Sequence, residues 1–301
     1  MKVLYINTDR GYGIYQIGLL FLDILKLIKQ INYIDVYTNQ CCHYAKSFNK
    51  KGYDFIVINE YSKSCIDTLI NTYKNIPLIN IAHSKGTFPK YLLNIALNQD
   101  TDLKNNIHSL DFVPGNIWMN KNKKRAGTLL SCRICEEKIP LDLLPEKLDV
   151  YGPVIDEAVL PYINYKGFFT PQEMVDIYNQ YESLLVISKT ECLCMPIREA
   201  LLCGCTPIVY DPDRVYTSKI SDYIQYYKEK DKKIKPFSYT FEEMVFQFTF
   251  YLRAILGKCL TLEKNNAVTV NYLHENDNKD YLYTYDIFDK ELLWKIIKTN
   301  G

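Results

Sequence analysis

Leu184-Leu185-Val186-Ile187-Ser188-Lys189-Thr190-Glu191-Cys192-Leu193-Cys194-Met195-Pro196-Ile197-Arg198-Glu199-Ala200-Leu201-Leu202-Cys203-Gly204-Cys205-Thr206-Pro207-Ile208-Val209 is the stretch whose reading decides the fold. An apolar run from Leu184 to Ser188 ends in a polar loop. A helical pattern from Ile197 to Leu202 follows, then a glycine stop, then a second apolar run from Thr206 to Tyr210. Strand, loop, helix, turn and strand in that order predict a βαβ unit, and therefore parallel strands. In open parallel sheets ligands bind beyond the carboxyl ends of strands. Glu191 falls at such an end, and Glu199 in the first turns of the next helix. An ionised carboxylate accepts hydrogen bonds from two donors, so two carboxylates so placed suit vicinal hydroxyls.

The same alternation runs outward in both directions. Lys2–Asn7, Tyr33–Tyr37, Asp54–Asn59 and Pro77–Ala82 read as strands, with helical patterns at Ile14–Ile28 and Ile66–Tyr73. A second series holds strands at Gly127–Leu130 and Leu148–Tyr151, a helix at Glu173–Tyr181, and the deciding stretch. Helices at Glu242–Ile255 and Lys290–Lys298 are expected to close the chain. The prediction is an α/β protein of two Rossmann-like domains: 1–120, 121–275, and a C-terminal helical segment, 276–301, packing back on the first. Lys121, Lys123, Lys124 and Arg125 read as a solvated linker, and residues 216–240 as a polar surface excursion.

Composition narrows the function. The 301 residues are 48% apolar and carry 36 basic against 35 acidic side chains, a net charge of +1. That is ordinary globular composition, without the electrostatic footprint of a dedicated nucleic-acid binder. Lys2 leads into a strand pattern and not a secretory apolar segment, and Gln16, Asp23 and Lys26 interrupt the run Ile14–Ile28. The ten cysteines are therefore read as reduced and mostly buried, and the chain as cytoplasmic, with peripheral membrane contact left open by the basic cluster.

Further motifs remain ambiguous by residue type alone. Gly11 and Gly13 lie between a strand and a helix, as a tight turn or as a close approach of backbone to a phosphate or sugar. Gly18 comes too late for the dinucleotide spacing G-x-G-x-x-G. His83 follows a strand; His43, His108 and His274 read as structural or surface groups. Cys132 and Cys135 have C-x-x-C spacing without a second pair at zinc spacing. Asp211-Pro212-Asp213 matches the Asp-x-Asp of a metal-dependent donor site but reads as a turn after a strand. No metal site is expected.

The deciding stretch resembles the retaining glycosyltransferases of the GT-B fold, above all family 4. Their signature is S-x-x-E-x-x-G-x-P-x-x-E-A-hydrophobic-x-x-G-x-P, with two glutamates separated by seven residues. Ser188, Glu191, Pro196, Glu199, Ala200, Gly204 and Pro207 match its residue types in order. The family's G-R-L-x-x-x-K-G region is similar to Gly127–Lys138, where Arg133 and Lys138 are also five apart. Leu148–Pro153 resembles the following strand and glycine, and Gly167-Phe168-Phe169 with Glu173–Tyr178 the segment lining the base pocket. The resemblance covers about residues 125–212, and in the first half rests on the Gly11/Gly13 loop and His83. Cys192 and Cys194 stand where the family usually has glycines, and Ile139 follows the lysine in place of another. Side chains there narrow the donor pocket or move the loop.

The resemblance implies a retaining, hexosyltransferase-like enzyme that moves a sugar from a UDP- or GDP-sugar to a hydroxyl acceptor, with no cofactor or metal. The acceptor would be a glycan, a lipid, a protein or a modified DNA base. Arg133 and Lys138 would hold the diphosphate, Glu199 the ribose, and Glu191 hydroxyls of the transferred sugar. Phe168, Cys192, Leu193 and Cys194 would line the donor site, with Gly11 and Gly13 offering backbone amides. His83 would sit by the reacting sugar. Two alternatives stand beside this one: a catalytically inactive nucleotide-sugar-binding subunit, and a GT-B epimerase or phosphorylase.

Overall fold

A strand whose residues are apolar on both faces must be covered on both sides, which parallel sheets achieve. Phe55–Asn59 and Leu78–Ala82 are such strands, buried along their whole length. A computed structural model of the chain describes residues 1–7, 12–38, 52–59, 71–83, 93–97, 101–145, 148–189, 193–214, 216–229, 232–272 and 287–294, with 67, 69 and 191. It divides into two units, one formed by Met1–Phe112 with the segment starting at Phe241, the other by Val113–Thr240.

The first unit is a seven-stranded, wholly parallel sheet. Its strands are β1 (Lys2–Asn7), β2 (Tyr33–Thr38), β3 (Phe55–Asn59), β4 (Leu78–Ala82), β5 (Leu93–Leu97), β6 (Ile107–Leu110) and, late in the chain, β13 (Thr269–Tyr272). The order is β13-β2-β1-β3-β4-β5-β6. Helix α1 (Tyr12–Lys26) packs on β1 and β3. The direction of winding reverses between β1 and β3, where Asn7 and Asn59 pair at the carboxyl ends.

β13 joins through one buried carboxylate. Asp35, on β2, is wholly buried and accepts from the Tyr53 hydroxyl at 2.6 Å, Asn271 Nδ2 at 2.8 Å and the Tyr33 hydroxyl at 3.0 Å. Asn271 lies directly opposite it in the parallel register. A buried charge requires such donors, so Asp35 selects the strand that can supply an amide there.

The second unit is a six-stranded parallel sheet. It holds β7 (Thr128–Ser131), β8 (Asp149–Tyr151), β9 (Asn164–Gly167), β10 (Ser183–Val186), β11 (Thr206–Val209) and β12 (Gln225–Tyr226), in the order β12-β11-β10-β7-β8-β9. Here winding reverses between β7 and β10, which pair in parallel. Helix α2 (Pro171–Tyr178) starts at a capping box: Thr170 Oγ1 accepts from the Glu173 amide, and the Glu173 carboxylate accepts from the Thr170 amide at 2.7 Å. Helix α3 (Met195–Cys203) carries Pro196 in its first turn and stops at Gly204.

Four parts of the sequence expectation change. The helix expected at Glu242–Ile255, α4 (Phe241–Leu256), belongs with β13 to the first unit, so the second closes near residue 240 and not 275. β5, β6, β9, β12 and β13 were not anticipated: β6 and β12 are short, and β9 is an exposed polar edge strand. Within 216–240, Tyr216, Ile220, Ile224 and Tyr226 are buried in the second unit's core, so only the part from 228 on, exposed or half-buried where described, is a surface excursion. The basic stretch is tied to the fold, although Lys121, Lys123 and Lys124 stay exposed as expected. Lys121 and Lys123 pair with Asp176, and Arg125 donates to the carbonyls of Tyr178 and Cys203 and to Asn120 and Asn179. Arg125 thus caps the ends of α2 and α3 with one guanidinium. Of the expected terminal helix, residues 290–294 are helical; of the helix expected at Ile66–Tyr73, Asp67, Leu69, Asn71 and Thr72 are helical, and 66, 68 and 70 lie outside the described residues.

Arg125→Met keeps the stem and deletes the fork. It is expected to destabilise the second unit by about 2–4 kcal/mol, because four acceptors each lose one charged donor. Urea unfolding followed by tryptophan fluorescence measures it.

Candidate functional site

The second unit's reversal point is built by two loops. The loop after β7 turns at Cys135, whose carbonyl accepts from the amides of Lys138 and Ile139. Backbone bonds tie it to the segment after β8: Cys132 N donates to Tyr151 O at 3.1 Å and Ile134 N to Pro153 O at 2.9 Å. The approach is close enough that a Cβ on Gly152, at φ +143°, would lie 1.8 Å from the Cys132 carbonyl oxygen. The loop after β10 joins the same assembly through Lys189 N, which donates to Glu137 O at 3.2 Å.

These contacts bring the predicted residues together. Lys138 Nζ meets Glu191 Oε1 at 3.0 Å, with 10% and 18% of the side chains exposed. The Cys132 thiol feels the charges of Glu191, Lys138 and Arg133 together, and burial drives its pKa upward. Arg133 itself is exposed, and its guanidinium has no ion-pair partner among the described residues. Leu193 and Cys194 are buried at the start of α3. Cys194 sits at φ 43°, ψ 76°, a left-handed conformation that suits glycine and strains a side chain. A glycine would adopt this conformation without strain, and this chain places a cysteine there.

Glu199 lies one turn into α3, where the Tyr178 hydroxyl donates to its Oε2 at 3.1 Å. Burial, partly offset by that hydrogen bond, pushes the Glu199 carboxyl up to about 7. Tyr178 is wholly buried and stacks edge-on with Trp118. Phe168 is exposed after β9, while Phe169 packs against Tyr151. Asp211 has other duties than Asp-x-Asp chemistry: its carboxylate accepts from the amides of Tyr216 and Thr217 and the Thr217 hydroxyl.

The first unit carries a buried polar chain at its own reversal point. Asn59 Nδ2 donates to Asn7 Oδ1 at 2.7 Å and to the Ile14 carbonyl at 2.9 Å, and Asn7 Nδ2 to the Tyr15 carbonyl at 3.3 Å. Both Nδ2 bonds end on acceptors, which leaves Asn59 Oδ1 facing His83 Nε2 at 2.7 Å. Nε2 must therefore donate. His83 is 7% exposed; its Nδ1 is then a bare acceptor without a partner among the described residues, and burial holds the ring's pKa down to about 4. The imidazole is neutral at physiological pH, poised to accept from a hydroxyl.

Gly18 makes this chain possible. A Cβ there would lie 1.8 Å from Asn7 Oδ1 and 2.3 Å from Asn59 Nδ2. The glycine that failed the dinucleotide spacing is a packing residue that lets α1 lie on the asparagine pair. Gly13 is exposed in the first turn of α1, whereas Gly11 and Cys192 lie outside the described residues. Sequence reasoning missed Asn7, Asn59 and Tyr178 as functional supports. A signal existed for the asparagines: both apolar runs of β1 and β3 end on Asn, and that of β4 is followed by His83.

No family model matches the sequence, and no curated protein does. Solved structures are similar. WaaB, a lipopolysaccharide outer core galactosyltransferase in its apo form, aligns over 100% of both chains at 12% identity and TM-score 0.51. HepE of Anabaena, in complex with UDP, aligns over 100% of this chain and 99% of its own at 11% identity and TM-score 0.54. AviGT4, a glycosyltransferase of avilamycin A biosynthesis, aligns over 86% and 99% at 11% identity and TM-score 0.51. The chain has the GT-B fold. In this GT-B chain each unit places its polar cluster at its own reversal of strand order, where a parallel sheet receives ligands.

Two measurements test these supports. Gly18→Ala forces an overlap in the buried amide pair and is expected to cost about 1–3 kcal/mol by denaturant unfolding. Glu199 is raised from an ordinary 4.5 to about 7, so the stability it contributes is complete below about pH 4.5 and is lost as pH rises through about 7. Against Glu199→Gln, the wild type should lose on the order of 2 kcal/mol across that window, read from unfolding free energies at stepped pH.

Proposed function

We propose that the chain is a metal-independent, retaining glycosyltransferase that moves a sugar from a nucleotide-diphosphate sugar to a hydroxyl acceptor. The observation that carries this reading is the assembly of Arg133, Lys138, Glu191 and Glu199 around one strand reversal, on loops hydrogen-bonded to each other.

The division of labour follows from their chemistry. Arg133 offers an exposed guanidinium fork to a diphosphate, and Lys138 a point charge. Charge building on the departing diphosphate is stabilised by these cations and by the amides opening α3, which supports a reaction without a metal or cofactor. Glu199, held by Tyr178, accepts from ribose hydroxyls, and Glu191 from hydroxyls of the sugar. In the first unit, His83 Nδ1 accepts a substrate hydroxyl, and the opening of α1 at Gly13 offers backbone amides. In the proposed route the glycosidic bond to the diphosphate breaks, the acceptor oxygen bonds the same face of the sugar, and its proton passes to the departing diphosphate, so configuration is retained without a carboxylate nucleophile. That HepE was solved with UDP favours UDP-sugars as the first donors to try. A glycan acceptor is the first choice on the same footing, WaaB being a lipopolysaccharide core enzyme. Among the described residues no helix is long and apolar enough to cross a membrane.

A panel of UDP- and GDP-sugars, read by thermal shift and nucleoside-diphosphate release, tests the proposal. One donor should stabilise the wild type, and Arg133→Ala should weaken that donor at least about tenfold. His83→Ala should lower turnover about a hundredfold with little change in nucleotide affinity. Stabilisation without release on any acceptor favours a non-catalytic donor-binding subunit; no shift with any nucleotide rejects the donor site.

A further inference from the structure

The two groups assigned to different halves of the donor hold each other. Lys138 Nζ and Glu191 Oε1 are 3.0 Å apart and mostly buried, and Lys138 is the one cation paired with Glu191 among the described residues. A diphosphate that takes Lys138 must compete with this carboxylate. A carboxylate displaced from its cation and left beside a diphosphate is a like charge in a partly desolvated place, which is costly. Buried Cys194, at the left-handed start of α3, and Tyr216 both lie within the reach of the carboxylate's charge.

We propose that Glu191 is a selectivity residue that makes the site favour nucleotide sugars over bare nucleoside diphosphates. When a sugar is attached, its hydroxyls donate to Glu191 and replace the interaction the carboxylate gives up at Lys138. When the sugar has been transferred, those donors leave, Glu191 reclaims Lys138, and the diphosphate product is expelled. The pair therefore couples recognition of the sugar to retention of the phosphates. This rests on the donor-site reading above and adds to it a means of product release.

Titration calorimetry on the intact chain tests the coupling. The probes are inorganic pyrophosphate, UDP and UDP-glucose, with GDP and GDP-mannose as a parallel set. The wild type should bind the nucleotide sugar more tightly than its diphosphate. Glu191→Gln, which keeps the shape and removes the charge, should bind pyrophosphate and the diphosphate about three- to tenfold more tightly, and its preference for the nucleotide sugar should collapse. A merely structural role for Glu191 would weaken all the ligands alike. In a Lys138→Met background the glutamine substitution should give a clearly smaller gain, since the competition for the lysine is gone and only the like-charge repulsion is relieved. Glu191→Ala repeats the measurement if thermal melting shows the glutamine variant unfolded. If the diphosphate binds the wild type and neither Glu191 variant binds it more tightly, the coupling is wrong and the donor site stands. If no probe binds the wild type or the variants, the donor site and the coupling fall together.

Discussion

Strands buried on both faces in a parallel sheet confine chemistry to the loops at their carboxyl ends, and the rest of this chain is arranged around that constraint. Both sheets start with a central strand and add neighbours first on one side and then on the other. Such an order leaves two adjacent loops diverging at the reversal, β1 with β3 in one unit and β7 with β10 in the other. A ligand can enter only where loops part, so the polar residues that the core excludes gather there.

Each buried polar group at these places is tied to a specific neighbour. Asn59 spends both amide hydrogens, and that fixes which nitrogen of His83 carries the proton. Tyr178 supports Glu199 from a neighbouring helix. Lys138 and Glu191 meet from successive loops of the reversal. These groups are expensive to bury, and their partners set protonation and orientation within the fold itself. Elsewhere the same rule serves architecture, as where Asp35 recruits β13 through Asn271.

Much of the second unit's polar cluster was legible because it is local. Glu191 and Glu199 lie on one strand-loop-helix unit, and Arg133 with Lys138 on another, so spacing along the chain nearly equals arrangement in space. The strands of β1, β3 and β4 were equally plain from their apolar runs. Less visible were elements whose stability comes from distant partners. β13 carries no pattern that names β2, and Arg125 looks like any linker cation until α2 and α3 end beside it. Residues 216–240 look polar, yet their few apolar side chains are the ones the core takes.

The sequence by itself determined the parallel α/β class, the order of strands and helices along most of the chain, and the pairs of charged residues that follow two of its strands. Periodicity and local spacing carry that information, and both act within a few residues. Only the tertiary structure decided which strands adjoin, that α4 and β13 return to the first unit, that Gly18 exists for the asparagines beneath it, and that Lys138 is held by Glu191. Those outcomes depend on desolvation and on contacts between segments tens or hundreds of residues apart, energies that no local pattern encodes.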